Sequence, residues 1–182
     1  MQTEFDILLD ICSKLTSSGI PYMLTGSMAM SYYAQPRMTR DIDIVVALRS
    51  EDTDTLLDLL NPDYYVERDT IAEAIAEHFT FNAIHYASVV KVDFIVLSDT
   101  PFAHEEFGRR RQFDVGGFPL AVVSREDLIL AKLLWARESQ SEMQLRDVRN
   151  LLAGSCDLDY IRKWVPLLGL TTLFENALKS DE

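Results

Sequence analysis

An α+β fold, with a mixed β-sheet, flanking helices and a C-terminal run of helices, is what this 182-residue sequence predicts. Three observations predict it. Alternating or continuous apolar stretches at 41–46, 79–85, 89–97 and 113–122 have the length and β-branched character of strands. Helical patterns separate the earlier strands from one another, at 3–17, 27–34, 51–60 and 70–78. From Ser124 onward the signal is helical throughout, which divides the chain into a 1–123 α/β core and a 124–182 helical subdomain packed on it as one compact unit.

The elements follow in order. A helix over 3–17 leads to a short strand, Tyr22-Met23-Leu24, which runs into Gly26-Ser27 and a helix over 27–34. The run Asp41-Ile42-Asp43-Ile44-Val45-Val46 alternates with period two, so Asp41 and Asp43 share one face and Ile42, Ile44 and Val46 the other. Glu51, Asp52 and Asp54 enrich the first turn of the next helix in acid, as the macrodipole favours, and Asn61-Pro62 stops it. Tyr64-Tyr65-Val66 reads as a short edge strand, and Gly116-Gly117 as the turn of a hairpin joining 113–115 to 118–122. Helices are expected over 124–137, 142–152, 158–168 and 172–179, with Gly154 and Gly169 as stops. Ser124 with Asp127, and Thr172 with Glu175, have the spacing of capping boxes.

Composition bounds the function. Hydrophobic residues make up 48% of the chain, enough for a sizeable core, and no apolar run approaches the roughly 20 residues that span a bilayer. The start, Met1 to Asp6, is acidic and lacks the basic opening of a signal peptide, so a cytoplasmic protein without membrane partners is expected. Cys12 and Cys156 have no metal-binding spacing and are expected as reduced thiols. A net charge of −12 opposes indiscriminate nucleic-acid binding, since a polyanion is held mainly by lysine and arginine. An RNA partner would need a local basic patch. Arg109-Arg110-Arg111 is the candidate, with Arg37 and Arg40 on the loop before the aspartates; a solvated turn with surface ion pairs is the alternative.

The chemistry-bearing residues are Gly26, Ser27, Asp41, Asp43 and Asp93. A strand running into Gly-Ser and then a helix presents free backbone N–H groups to an anion such as a triphosphate. Asp41 and Asp43 on one strand face repel unless a cation lies between them. Asp93 is the only acid in the run Lys91-Val92-Asp93-Phe94-Ile95-Val96, and on an adjacent strand it would complete a carboxylate triad for hard cations that clamp an in-line phosphoryl displacement. For Asp41 the simpler role is to tie down the strand entry beside Arg40.

This ordered set resembles the nucleotidyltransferase superfamily of the polymerase-β type, whose pattern is Gly-Ser, a gap, Asp-x-Asp, and a later strand with a third carboxylate. The thirteen residues between Ser27 and Asp41 form a long gap, similar to that of the stand-alone bacterial branch related to the AbiEii-like toxins. The likeness extends through Ser124-Arg125-Glu126-Asp127-Leu128-Ile129-Leu130-Ala131-Lys132 and Arg146-Asp147-Val148. The resemblance implies a nucleotidyltransferase-like sheet and Mg2+ or Mn2+ held by Asp41, Asp43 and Asp93. It implies an NTP held by Gly26, Ser27 and Lys132, with NMP passed to a hydroxyl of tRNA or protein in a toxin–antitoxin setting with a cognate antitoxin.

Two alternatives stand beside it: a catalytically silent or antitoxin-like binding module, and a small-molecule nucleotidyltransferase of the aminoglycoside type, whose cationic acceptor an acidic cleft would attract. Lys132 either reaches the triphosphate or lays its stem on apolar surface with its head in water. Asp147 either assists that chemistry, pairs with Arg146 at the surface, or tethers two helices. His85, Trp135 and Trp164 are expected to be structural, the tryptophans as core.

Overall fold

The computed structural model describes residues 3–35, 39 and 41–179; Arg37 and Arg40 lie outside the described residues. In chain order the elements are α1 (Glu4–Ser17), β1 (Tyr22–Thr25), α2 (Gly26–Met30), β2 (Ile42–Val46), a 3-10 turn (Ser50–Asp52) leading into α3 (Thr53–Leu60), β3 (Tyr64–Tyr65), α4 (Arg68–Glu77), β4 (Thr80–His85), β5 (Lys91–Val96), α5 (Pro101–Gly108), β6 (Arg111–Val115), β7 (Phe118–Val122), α6 (Arg125–Ser139), α7 (Glu142–Leu152), α8 (Leu158–Leu167) and α9 (Thr171–Leu178). Among the described residues the strands form one mixed sheet of seven, in the order β3-β4-β5-β2-β1-β7-β6. β2 and β5 run parallel, as do β1 and β7, and the other neighbours are antiparallel.

The register explains why the sheet holds the aspartates on one side. Leu24, Ile44, Phe94 and Phe81 lie opposite one another across β1, β2, β5 and β4 and are almost fully buried. Phe81 and Phe94 stack with ring centroids 5.0 Å apart. Burying each such side chain contributes about 1.5–3 kcal/mol relative to exposure. Because side chains alternate, the next row, Thr25, Asp43, Asp93 and Asn82, must face the other way. A one-residue slip would place two carboxylates in the core, so the register is strongly fixed.

Several local expectations change. The helix after Gly26-Ser27 ends at Met30 and gives way to turns over 31–34. Those turns are held by Arg125, whose Nη2 donates to the Tyr33 carbonyl at 2.6 Å and Nη1 to that of Leu151 at 3.2 Å. Ser124 caps α6 by accepting from the Asp127 N–H, but the Asp127 carboxylate takes the Ser124 hydroxyl rather than its N–H, so the reciprocal box is not made. Thr172 caps nothing: α9 begins at Thr171, with Leu170 before it and no side-chain cap. α5 is a helix the periodicity did not announce. Thr100 at its N-cap accepts from the Ala103 N–H, and Pro101 occupies the first turn, a start signal legible in Thr-Pro. Gly116 and Gly117 both have positive φ, as a two-residue hairpin turn demands.

Candidate active site

Thr25, Asp43 and Asp93 stand side by side on β1, β2 and β5, and Gly26 follows Thr25 directly. Gly26 has φ +67°, and a Cβ there would meet the Asp43 carboxylate, with its Cγ only 2.7 Å away. Glycine is therefore required twice, for the left-handed backbone and for the close approach of the acid. Gly26→Ala is expected to destabilise the fold by at least about 1–2 kcal/mol from backbone conformation alone and to push Asp43 aside. Thermal denaturation with calorimetry of NTP binding checks it; unchanged affinity would mean that the packing of Gly26 on Asp43 does not shape the site.

A cavity of about 310 Å³ is lined by Ser27, Thr39, Asp41, Asp43, Trp135, Met143 and Gln144. It brings Ser27 together with two of the three aspartates. Burial first, and then the like charges of Asp93 and Asp41, push the Asp43 carboxyl up to about 6, against the pull of Lys132 and Lys91. Asp93 is engaged by Lys91, whose ammonium lies 2.8 Å from its carboxylate and whose own pKa that hydrogen bond raises. Among the described residues no three acidic, histidine or cysteine side chains converge as a ready-made cation site. The donor set nevertheless fits a hard divalent ion at Asp41 and Asp43, because the charge that strains Asp43 is relieved by a cation that oxygen ligands prefer.

Lys132 is fully buried, its ammonium 2.7 Å from the Asp147 carboxylate and 3.1 Å from the Gln144 amide oxygen. Asp147 is only 2% exposed, so it is a tether between α6 and α7 and not a surface partner of Arg146. Through Gln144 this pair reaches the wall of the carboxylate cavity. The snorkelling alternative for Lys132 is excluded by its burial.

The arginine run also turns inward. Arg109 donates to Asp127 at 3.0 Å and stacks 3.7 Å over the Tyr160 ring, while Tyr160 donates to the same carboxylate at 2.6 Å. Arg110 packs 4.2 Å over Phe107, and of the three Arg111 alone is exposed. Of the run Arg109-Arg110-Arg111, one open side chain is left for the expected basic patch, while Arg37 and Arg40 lie outside the described residues. Glu126 and Asp127, quoted for the family likeness, are buried members of this clamp.

Trp164 is core, packed edge-on against Phe102 at 5.2 Å, but Trp135 is half-buried and lines the carboxylate cavity. Trp135, which the sequence assigned to the core, lines this cavity with Met143 and Gln144, which it did not single out, since an aromatic at helical spacing reads the same whether it faces core or cleft. His85 hydrogen-bonds Ser88 at 2.8 Å beside Tyr64, away from the site. Cys12 and Cys156 are free thiols, and burial pushes Cys12 up to about 12. Among the described residues no helix is long and apolar enough to cross a membrane.

The fold has solved relatives. ANT(2'')-Ia, an antibiotic-resistance factor, superimposes with a TM-score of 0.59 at 16% identity over 97% of this chain and 95% of that one. The lincosamide antibiotic adenylyltransferase LnuA, solved with lincomycin, gives 0.55 at 15% identity over 83% and 96%. A nucleotidyltransferase-like antigen of Paracoccidioides brasiliensis gives 0.54 at 18% identity over 82% and 75%. At such identities these likenesses show the fold. No curated protein matches the sequence. The family described as "Nucleotidyl transferase AbiEii toxin, Type IV TA system" matches residues 13–162, the stretch that carries Gly26-Ser27, all three aspartates and the Lys132–Asp147 pair, and the chain belongs to that nucleotidyltransferase family.

Proposed function

We propose that the protein transfers a nucleoside monophosphate from an NTP to a hydroxyl acceptor, using the face formed by Thr25, Asp43 and Asp93. The observation that carries this reading is the register of Asp43 beside Asp93, with Gly26 packed under the Asp43 carboxylate. Gly26 and Ser27 hold the phosphates at the start of α2, and Lys132 contributes positive charge behind Asp43. Asp41, Asp43 and Asp93 would hold Mg2+ or Mn2+, which when bound supplies charge neutralisation at the phosphates. Asp93 accepts the proton of the acceptor hydroxyl, the oxygen attacks the α-phosphorus, and the bond to pyrophosphate breaks. Lys91 must release Asp93 for that role. The family supports a cognate antitoxin as partner and a cytoplasmic setting. RNA or protein as acceptor is supported by the toxin family, while the inward-turned Arg109 and Arg110 weaken the case for a phosphate-reading groove there.

The test is incubation with labelled NTPs and cell extract. Label should pass to an acceptor fraction with the wild type and fall about 10²–10⁴-fold with Asp93→Asn, while NTP binding is largely kept. Equal labelling by the two proteins would remove Asp93 from the chemistry. No label in any fraction, with metal supplied, would identify the silent binding module.

A further inference from the structure

On the same sheet face as the aspartates lies a second cavity, of about 610 Å³. Val45 and Ile95 line it, each two residues along its strand from Asp43 and Asp93, and therefore about 6.6 Å beyond them on the same face. Thr25 and Trp135 lie at its boundary with the carboxylate cavity, and Phe102, Leu134, Trp164 and Leu168 make its walls apolar. Glu106 is the one ionisable side chain among the described residues lining it. No hydrogen bond or ion pair to the Glu106 carboxyl is present among the described residues; its backbone carbonyl merely accepts from the Arg109 N–H.

We propose that this cavity holds the acceptor, a small molecule with an apolar body, a basic nitrogen that meets Glu106, and a hydroxyl that reaches Asp93. The proposal rests on the transfer reading above and names the substrate class of that site. An apolar cavity with a few convergent polar groups is the form small-molecule sites take. Among the described residues no lysine or arginine lines it, so a polynucleotide gains no counter-charge for its phosphates from them. The polar side-chain groups among the described residues lining it are Glu106, the hydroxyls of Thr25, Ser98 and Thr100, and the indole N–H groups of Trp135 and Trp164, a sparse set spread around an apolar wall. Burial, and after it the charge of Asp127, push Glu106 up to about 8, while Arg109 is spent on Asp127 itself. Near neutral pH Glu106 is thus a neutral acid, and an ammonium arriving beside it restores the carboxylate and gains an ion pair. A neutral ligand gains none.

The chain has two tryptophans and both line this cavity, so their fluorescence reports its occupancy. The probes are 2-amino-1-phenylethanol and 1-phenylethanol, which differ by the amine, titrated at pH 7 without NTP or metal. The amine should bind at least tenfold more tightly to the wild type, and the preference should vanish in Glu106→Gln, whose amide has the shape of the neutral acid. Ala103→Leu, which fills the cavity, should weaken both probes. Equal binding of the two compounds, or a preference that survives in Glu106→Gln, overturns the proposal. Failure of probe binding with transfer to another acceptor intact overturns it and leaves the transfer reading standing. Probe binding without transfer to any acceptor overturns the transfer reading, and the acceptor role with it.

Discussion

Asp43→Asn is expected to abolish metal-dependent NTP binding and to raise the stability of the metal-free protein. The two effects have one cause. The Asp43 carboxyl, held at about 6 in the fold against 3.8 in a free chain, binds more protons in the native state than in the unfolded state between those values. Stability of the metal-free wild type therefore falls as pH rises from about 4 to about 6 and stays low above that. A shift of this size is worth up to about 3 kcal/mol, and the partial exposure of Asp43 brings it nearer 1–2. Asparagine carries no charge, so the variant should match the wild type near pH 4 and exceed it at pH 7 in urea denaturation. Magnesium should reverse that order by stabilising the wild type alone. Wild-type stability that is flat over this window and indifferent to magnesium would show that neither burial nor like charge strains the Asp43 carboxylate.

The second large effect is expected at Lys132. Lys132→Met leaves Asp147 charged and buried between α6 and α7, and removing one partner of such a pair costs about 3–5 kcal/mol. The double variant Lys132→Met with Asp147→Leu should recover part of this loss, because the buried carboxylate that lost its ammonium partner is gone. Denaturant unfolding of the three proteins measures the coupling. The recovered double variant also isolates the functional part: with the positive charge behind Asp43 removed, triphosphate binding should remain weakened more than monophosphate binding. Full recovery of affinity in the stable double variant would reduce Lys132 to a tether.

What depends on neighbours along the chain was legible before any packing was known. An acid inside Ile-Asp-Ile-Val-Val must take the face opposite the isoleucines, so Asp43 was legible as a site residue, and the same alternation isolated Asp93. Gly116-Gly117 required a tight hairpin, and the apolar edge at Tyr64 and Tyr65 read as a strand. Thr100-Pro101 carried the start of α5 in the same local way, but eight residues with little amphipathic contrast hid it.

What depends on partners far apart in the chain was set by packing between elements. Lys132 and Asp147 look like separate polar residues until α6 and α7 pack and exclude water from both. Arg109 looks like an open cation until α8 brings Tyr160 over it and α6 brings Asp127. Trp135 has the spacing of a core residue, and its place on the wall between two cavities follows from how α5, α6 and α8 meet the sheet. Periodicity states that a side chain faces inward; whether it meets another side chain or a space is set by the shapes of elements that the pattern does not contain.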